Sequence, residues 1–195
     1  MKEVGNVLFV GVGGQGTILA SKVLVDGLIK NGYDVKMSEV HGMAQRGGSV
    51  TTQVRFGQKV YSPLIEKGKA DAIVSFEKSE AARWLSYLKK GGQLVVNDYE
   101  IHPVPVLIGA EKYPEKVIEK LSEAVDNKVI MNASKMAEEL GTIKAQNIIL
   151  LGALIKVLKL DNLDWEKVLE DVLPSKIVDI NKKALKLGMD VCKNM

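Results

Sequence analysis

The chain has little of several residues that chemistry and stability often rest on. Cysteine occurs once, at Cys192, so no disulfide can form within the chain. The chain cannot supply an iron–sulfur cluster or a cysteine-rich zinc site alone either. Histidine occurs twice, at His41 and His102, too few for a multi-histidine metal centre. Aromatic residues make up 5% of the 195 residues, which argues against a platform for stacking nucleic-acid bases. Neither sign of charge dominates: 27 basic against 24 acidic residues give a net +3, so no polyanionic partner is implied. Long hydrophobic runs are missing. The most apolar window, Ile148 to Leu158, is interrupted by Gly152 and Lys156 and is about half the ~20 residues that span a bilayer. No secretory core follows Met1, and the expectation is a soluble, cytoplasmic protein without a membrane.

What is present reads as a folded domain. Hydrophobic residues are 46% and charged residues 26% of the chain, enough for a substantial core. Buried strands are expected at Asn6–Val10 and Asp71–Phe76, and further strands at Asp34–Glu39, Gln93–Asn97 and Lys128–Asn132. Between the first two, Thr17–Ile29 carries a helical stripe, so the opening reads as a strand–helix–strand unit. Ser49–Phe56 alternates and is expected to pair with Lys59–Tyr61 as an antiparallel hairpin. A helix around Ala81 to Leu88 should stop at Gly91-Gly92. Pro114 should open another over 114–125, and Ser134 should cap a third. From about Thr142 the chain is helical. The fold class expected is α/β: a three-layer, Rossmann-like, mostly parallel sheet with an antiparallel hairpin. An α/β core over 1–141 and a helical C-terminal part over 142–195 make a single domain. The helix at Ile148–Leu158 is apolar nearly all round, which suggests cover from a partner subunit.

Two loops carry the chemistry. Gly11-Val12-Gly13-Gly14-Gln15-Gly16 follows the first strand and opens the first helix. Glycines there let an anion approach the backbone, and the free N–H groups at the helix start point at it. Glu39 falls where a dinucleotide-binding fold holds a ribose. The second loop, Glu39 to Ser49, gathers His41, Gly42, Arg46, Gly47 and Gly48. Arg46 is one of three arginines in the chain and can fork onto a phosphate or carboxylate. His41 can exchange a proton near neutral pH. The candidate binding residues are Gly11, Gly13, Gly14, Gln15, Gly16, Glu39, Arg46, Gly47, Gly48 and Ser49, with His41 a candidate for catalysis. His102 and Cys192 read as structural. From the residues alone, a self-sufficient nicotinamide- or flavin-dependent oxidoreductase and a non-catalytic structural subunit both stay open.

GVGGQG at 11–16, EVHGMAQRGGSV at 39–50, VRFG at 54–57 and YSPLI at 61–65 together resemble the gamma subunits or domains of 2-oxoacid:ferredoxin oxidoreductases. The likeness runs from about Val7 to Asn97, and HGMAQRGG points to the indolepyruvate branch. The resemblance implies oxidation of a 2-oxo acid to an acyl-CoA with loss of CO2 and reduction of ferredoxin. Thiamine diphosphate and iron–sulfur clusters would then sit on a partner alpha subunit. This chain has no GDG…NN thiamine motif, only Gly188-Met189-Asp190. By resemblance, the Gly13–Gly16 loop and Arg46 would contact the phosphates of coenzyme A, and the chain alone would be inactive.

Overall fold

A computed structural model of the chain describes residues 4–42 and 48–193. Six strands form one sheet: β1 (Gly5–Val12), β2 (Asp34–His41), β3 (Ser49–Gly57), β4 (Ala70–Ser75), β5 (Leu88–Asn97) and β6 (Lys128–Met131). Their order is β2-β3-β1-β4-β5-β6. β1, β4, β5 and β6 pair in parallel, while β3 is antiparallel to both β1 and β2.

Helices cover both faces because the strand residues alternate between two cores. Val7 and Phe9 of β1, Ala72 and Val74 of β4 and Val95 of β5 face one side. There they meet α1 (Thr17–Lys30), α5 (Ala133–Glu139), α6 (Gln146–Val157), α7 (Trp165–Val172) and α8 (Ser175–Val191). Leu8, Val10, Ile73, Leu94 and Val96 face the other side. That side is covered by α2 (Lys78–Trp84) and α4 (Val117–Ala124). A four-residue helix, α3 (Val104–Leu107), lies in the connection from β5 to α4. The three-layer α/β class expected from the sequence is the one observed.

Several local expectations are corrected. β1 and β2 are not neighbours, because β3 inserts between them. The partners of β3 are β2 and β1, not Lys59–Tyr61. After Gly57 the chain leaves the sheet: Val60 N–H donates to Asp34 Oδ2 at 2.8 Å, and Arg55 Nη1 donates to Ser62 O at 3.0 Å. Gly91-Gly92 does not end a helix but forms a bulge inside β5. Ala70 pairs with Leu88 yet Ala72 pairs with Gln93, and Gly91 takes the left-handed φ of 75° that the bulge needs. α4 starts at Val117, three residues after Pro114. Asn132, not Ser134, caps α5, accepting from Lys135 N–H at 2.8 Å. Ser134 is turned into the interior.

α6 corrects the expectation of a subunit-covered helix. Gln146 to Ile155 are buried within this chain alone. α8 lies against α6 so closely that a Cβ on Gly188 would fall 1.9 Å from Ile149 O, and one on Gly152 2.2 Å from Leu185 O. Two glycines therefore let the backbones touch, and the C-terminal helices supply the cover.

Candidate functional site

In a parallel sheet the carboxyl ends of the strands form the rim where ligands bind. A cleft of about 700 Å³ opens there. Its walls are Gly13, Gly14, Gly16, Thr17, Ile18, Leu19 and Lys22 from the loop and first turns of α1, facing His41, Gly42 and Val50.

The glycine loop is built by a buried glutamine. Gln15 Oε1 accepts Val12 N–H at 2.8 Å, and Gln15 Nε2 donates to Phe76 O at 2.7 Å, just beyond β4. Phe76 O also accepts from Asn97 Nδ2 at 3.2 Å. Asn97 in turn reaches Ser134 Oγ and Gln146 Oε1, at 3.0 and 3.3 Å. Asn147 Nδ2 donates to Gly16 O at 3.2 Å. A side chain at Gly16 would strike that amide at 2.6 Å, and its φ of 80° is left-handed, so glycine is required there. The start of α6 thus buttresses the start of α1.

α1 begins without a side-chain cap at Gly16. The N–H groups of its first turn have no partner one turn earlier, and they border the cleft. Lys22 has no carboxylate within ion-pairing distance among the described residues. The cleft therefore offers N–H donors and the Lys22 ammonium to an anion.

The predicted binding residues divide. Gly13, Gly14 and Gly16 line the cleft, as does His41. Gly13 N–H donates to Gly48 O, and Gly42 N–H to Ser49 O, each at 2.9 Å, so the two loops meet at the cleft mouth. Gly11 and Gln15 face inward: a Cβ on Gly11 would lie 2.9 Å from both Gln15 Oε1 and Phe76 Cβ. Ser49 points to the other face of the sheet, one residue out of phase with Val50, and donates to Glu80 Oε2 at 2.6 Å. These three shape the loops and do not wall the cleft. Glu39 stands below the cleft with its Oε2 3.6 Å from His41 Nε2. Because β3 separates β2 from β1, Glu39 is not beside the glycine loop as a ribose-binding acid would be. Arg46 and Gly47 lie outside the described residues. Lys22 was missed by the sequence reading, although it lies four residues after Ile18 and so on the same helical face.

His102 lies on the same rim, in the β5–α4 connection, with Nε2 3.3 Å from Glu100 Oε2 and its ring 5.1 Å from that of Tyr113. Glu77 is fully buried there and accepts the Tyr113 hydroxyl. Burial first, then that bond, push the Tyr113 hydroxyl well above the usual phenol range, so it stays a donor. Lys78 binds Glu100 at 2.6 Å and Asp98 at 3.5 Å. Its bond to Lys78, aided by His102, holds Glu100 below the ordinary carboxylate value. A lowered carboxylate stabilises the fold above its unfolded pKa, and that contribution is lost as pH falls through the folded one. Hydrogen exchange over residues 99–113 should therefore rise on acidification only below the usual Glu range. Loosening already at pH 6 would locate the sensitive group elsewhere. Cys192 is buried against α6, and burial pushes its thiol pKa up, which disfavours the reactive thiolate.

A family model described as pyruvate ferredoxin/flavodoxin oxidoreductase matches residues 6–191. The chain belongs to that family. Among curated relatives of this oxidoreductase family, it is 42% identical to the indolepyruvate oxidoreductase subunit IorB of Pyrococcus horikoshii, over 100% of this chain and 98% of that one. The fold matches the gamma subunit of a keto/oxoacid ferredoxin oxidoreductase from Geobacter sulfurreducens, with a TM-score of 0.72 and 22% identity over 98% of this chain and 99% of that one. It also matches a 2-oxoglutarate:ferredoxin oxidoreductase from Magnetococcus marinus, solved with 2-oxoglutarate, coenzyme A and succinyl-CoA bound. There the TM-score is 0.76 and identity 20%, over 100% of this chain but 32% of that one. The chain is an oxidoreductase subunit of the 2-oxoacid:ferredoxin class. No helix among the described residues is long and apolar enough to cross a membrane.

Proposed function

We propose that this chain, a single gamma-type domain over residues 1–195, serves a cytoplasmic oxidoreductase that converts an aryl 2-oxo acid, indolepyruvate foremost, to an aryl-acetyl-CoA. CO2 leaves and ferredoxin is reduced. The cleft holds the phosphates of coenzyme A, with the Gly13–Gly16 loop and Lys22 on one side; Arg46, between β2 and β3 in the sequence, supplies a further cation. The observation that carries this reading is the uncapped start of α1 opening into a cleft that Lys22 lines. The 42% identity to an indolepyruvate oxidoreductase subunit supports the substrate. Thiamine diphosphate and the clusters fit a partner alpha subunit, since the one cysteine here is buried and its thiol pKa raised. The partner then performs the carbon chemistry, while this chain binds and orients the thiol carrier. A dinucleotide reading keeps the glycine loop but loses the support of Glu39, which β3 separates from β1.

Lys22→Ala tests the site. Lys22 is exposed, so stability should change by no more than about 0.5 kcal/mol. Loss of a charge-assisted phosphate contact should raise KM for CoA in the assembled enzyme roughly tenfold or more, about 1.5–3 kcal/mol, with KM for the 2-oxo acid unmoved. Arg46→Ala should behave alike. An unchanged CoA dependence in both variants would remove the cleft from the reaction.

A further inference from the structure

We propose that residues 102–112 form a ready-made apolar flap through which this chain docks onto the larger subunit that carries the thiamine and cluster chemistry. This rests on the function proposed above. The segment rises from the end of β5 and returns at Tyr113. Val104, Leu107 and Ile108 are 67, 69 and 73% exposed, three large aliphatic side chains on one short helical turn and its end. From Pro103 to Ala110 there is no charged residue, in a chain where 26% are charged. A contiguous aliphatic patch of this kind on a soluble chain marks a contact surface.

Both feet of the flap are held by one buried group. Glu77 accepts from Tyr113 Oη at one foot and from Ile101 N–H at 3.5 Å at the other. It also takes Ser79 Oγ at 2.6 Å and Glu80 N–H at 2.9 Å. Pro103 and Pro105 stiffen the turn between them. A segment already pinned loses little conformational freedom when it docks.

Two observations select the larger subunit as occupant. First, the flap stands on the rim that carries the cleft: Glu77 directly follows Phe76, whose carbonyl holds Gln15 and so the glycine loop. A subunit that delivers its reacting carbon to a carrier held in the cleft must cover this rim. Second, the Magnetococcus marinus relative joins this fold to a polypeptide of which it is 32%, and the remaining mass has no counterpart in this chain. The surface that receives the flap would be an uncharged aliphatic groove.

The test uses the full chain co-expressed with its thiamine-bearing partner, with association measured by sedimentation. Leu107→Asp and Ile108→Asp should each weaken association at least tenfold, while the isolated chain keeps its melting temperature. Ile29→Asp, at another exposed aliphatic site (54% exposed) on the last turn of α1 at the opposite rim, should assemble like wild type. If wild type assembles and Leu107→Asp assembles equally well, the flap inference falls and the proposed function stands. If wild type fails to assemble, the proposed function falls and the flap with it. A large drop in the melting temperature of isolated Leu107→Asp would show that the flap packs against its own chain, and would overturn the inference.

Discussion

Gln15→Leu is expected to lower the stability of the isolated chain by about 2–3 kcal/mol and to abolish anion binding in the cleft. Leucine has nearly the right size, so cavity formation is a small part of the cost. The loss is polar. Val12 N–H is buried and its acceptor is Gln15 Oε1, so the variant leaves a donor unpaired, at about 1–3 kcal/mol. Phe76 O keeps its bond from Asn97 and suffers less. For a chain of this length the melting temperature should drop by roughly 4–12 °C. The glycine loop would also lose the staple that ties it to β4. Calorimetry together with titration of CoA into the assembled enzyme would read both effects. A variant with unchanged melting temperature would mean that the Gly13–Gly48 bond holds the loop unaided.

Gly188→Ala should be the most damaging conservative change in the helical half. The new methyl would stand 1.9 Å from Ile149 O, a backbone atom that no rotamer can move. α6 and α8 would have to separate, opening a contact that keeps Ile148 to Leu151 dry. Overpacking of this sort costs about 3 kcal/mol, against a gain of about 1 kcal/mol in helix propensity. The net loss of roughly 2 kcal/mol should appear as a fall of about 4–8 °C in melting temperature. Gly27→Ala makes a useful comparison, since its new methyl meets the Trp165 ring rather than backbone. Equal melting temperatures for Gly188→Ala and wild type would show that the two helices can slide apart freely.

The elements were legible in the sequence because burial on both faces leaves continuous apolar runs such as Val7 to Val10. Glycine punctuation marked where the first strand gives way to α1. Strand order was not legible. Nothing local in Ser49 to Gly57 says that it enters between β1 and β2, since that depends on pairing with β1, from Val12 opposite Ser49 to Gly5 opposite Phe56, far back in the chain. The glycine loop was recognisable from spacing, but the inward turn of Gln15 is set by the Phe76 carbonyl, 61 residues on. The all-round apolar α6 was correctly seen to need cover. What covers it is the stripe Val178, Asn181, Ala184, Leu185 and Gly188 on α8, whose final glycine makes sense only beside Ile149. Lys22 needed no distant information and could have been found by extending the Ile18 face one turn.

The insertion of β3 bears on how the cleft can work. The glycine loop hangs from β1 and the opposite wall from β2, so the two walls are two strand spacings apart, roughly 10 Å. Both are hydrogen-bonded to the same intervening strand along its length. The gap therefore cannot narrow around a guest without unzipping sheet. It acts as a slot of set width, admitting a phosphate or a flat ring edge-on and giving no squeeze. Any hold beyond the contacts of Lys22 and the glycine loop would come from above the slot, where the partner's surface would lie. A guest would then be free to enter and leave the separated chain and become confined only after assembly.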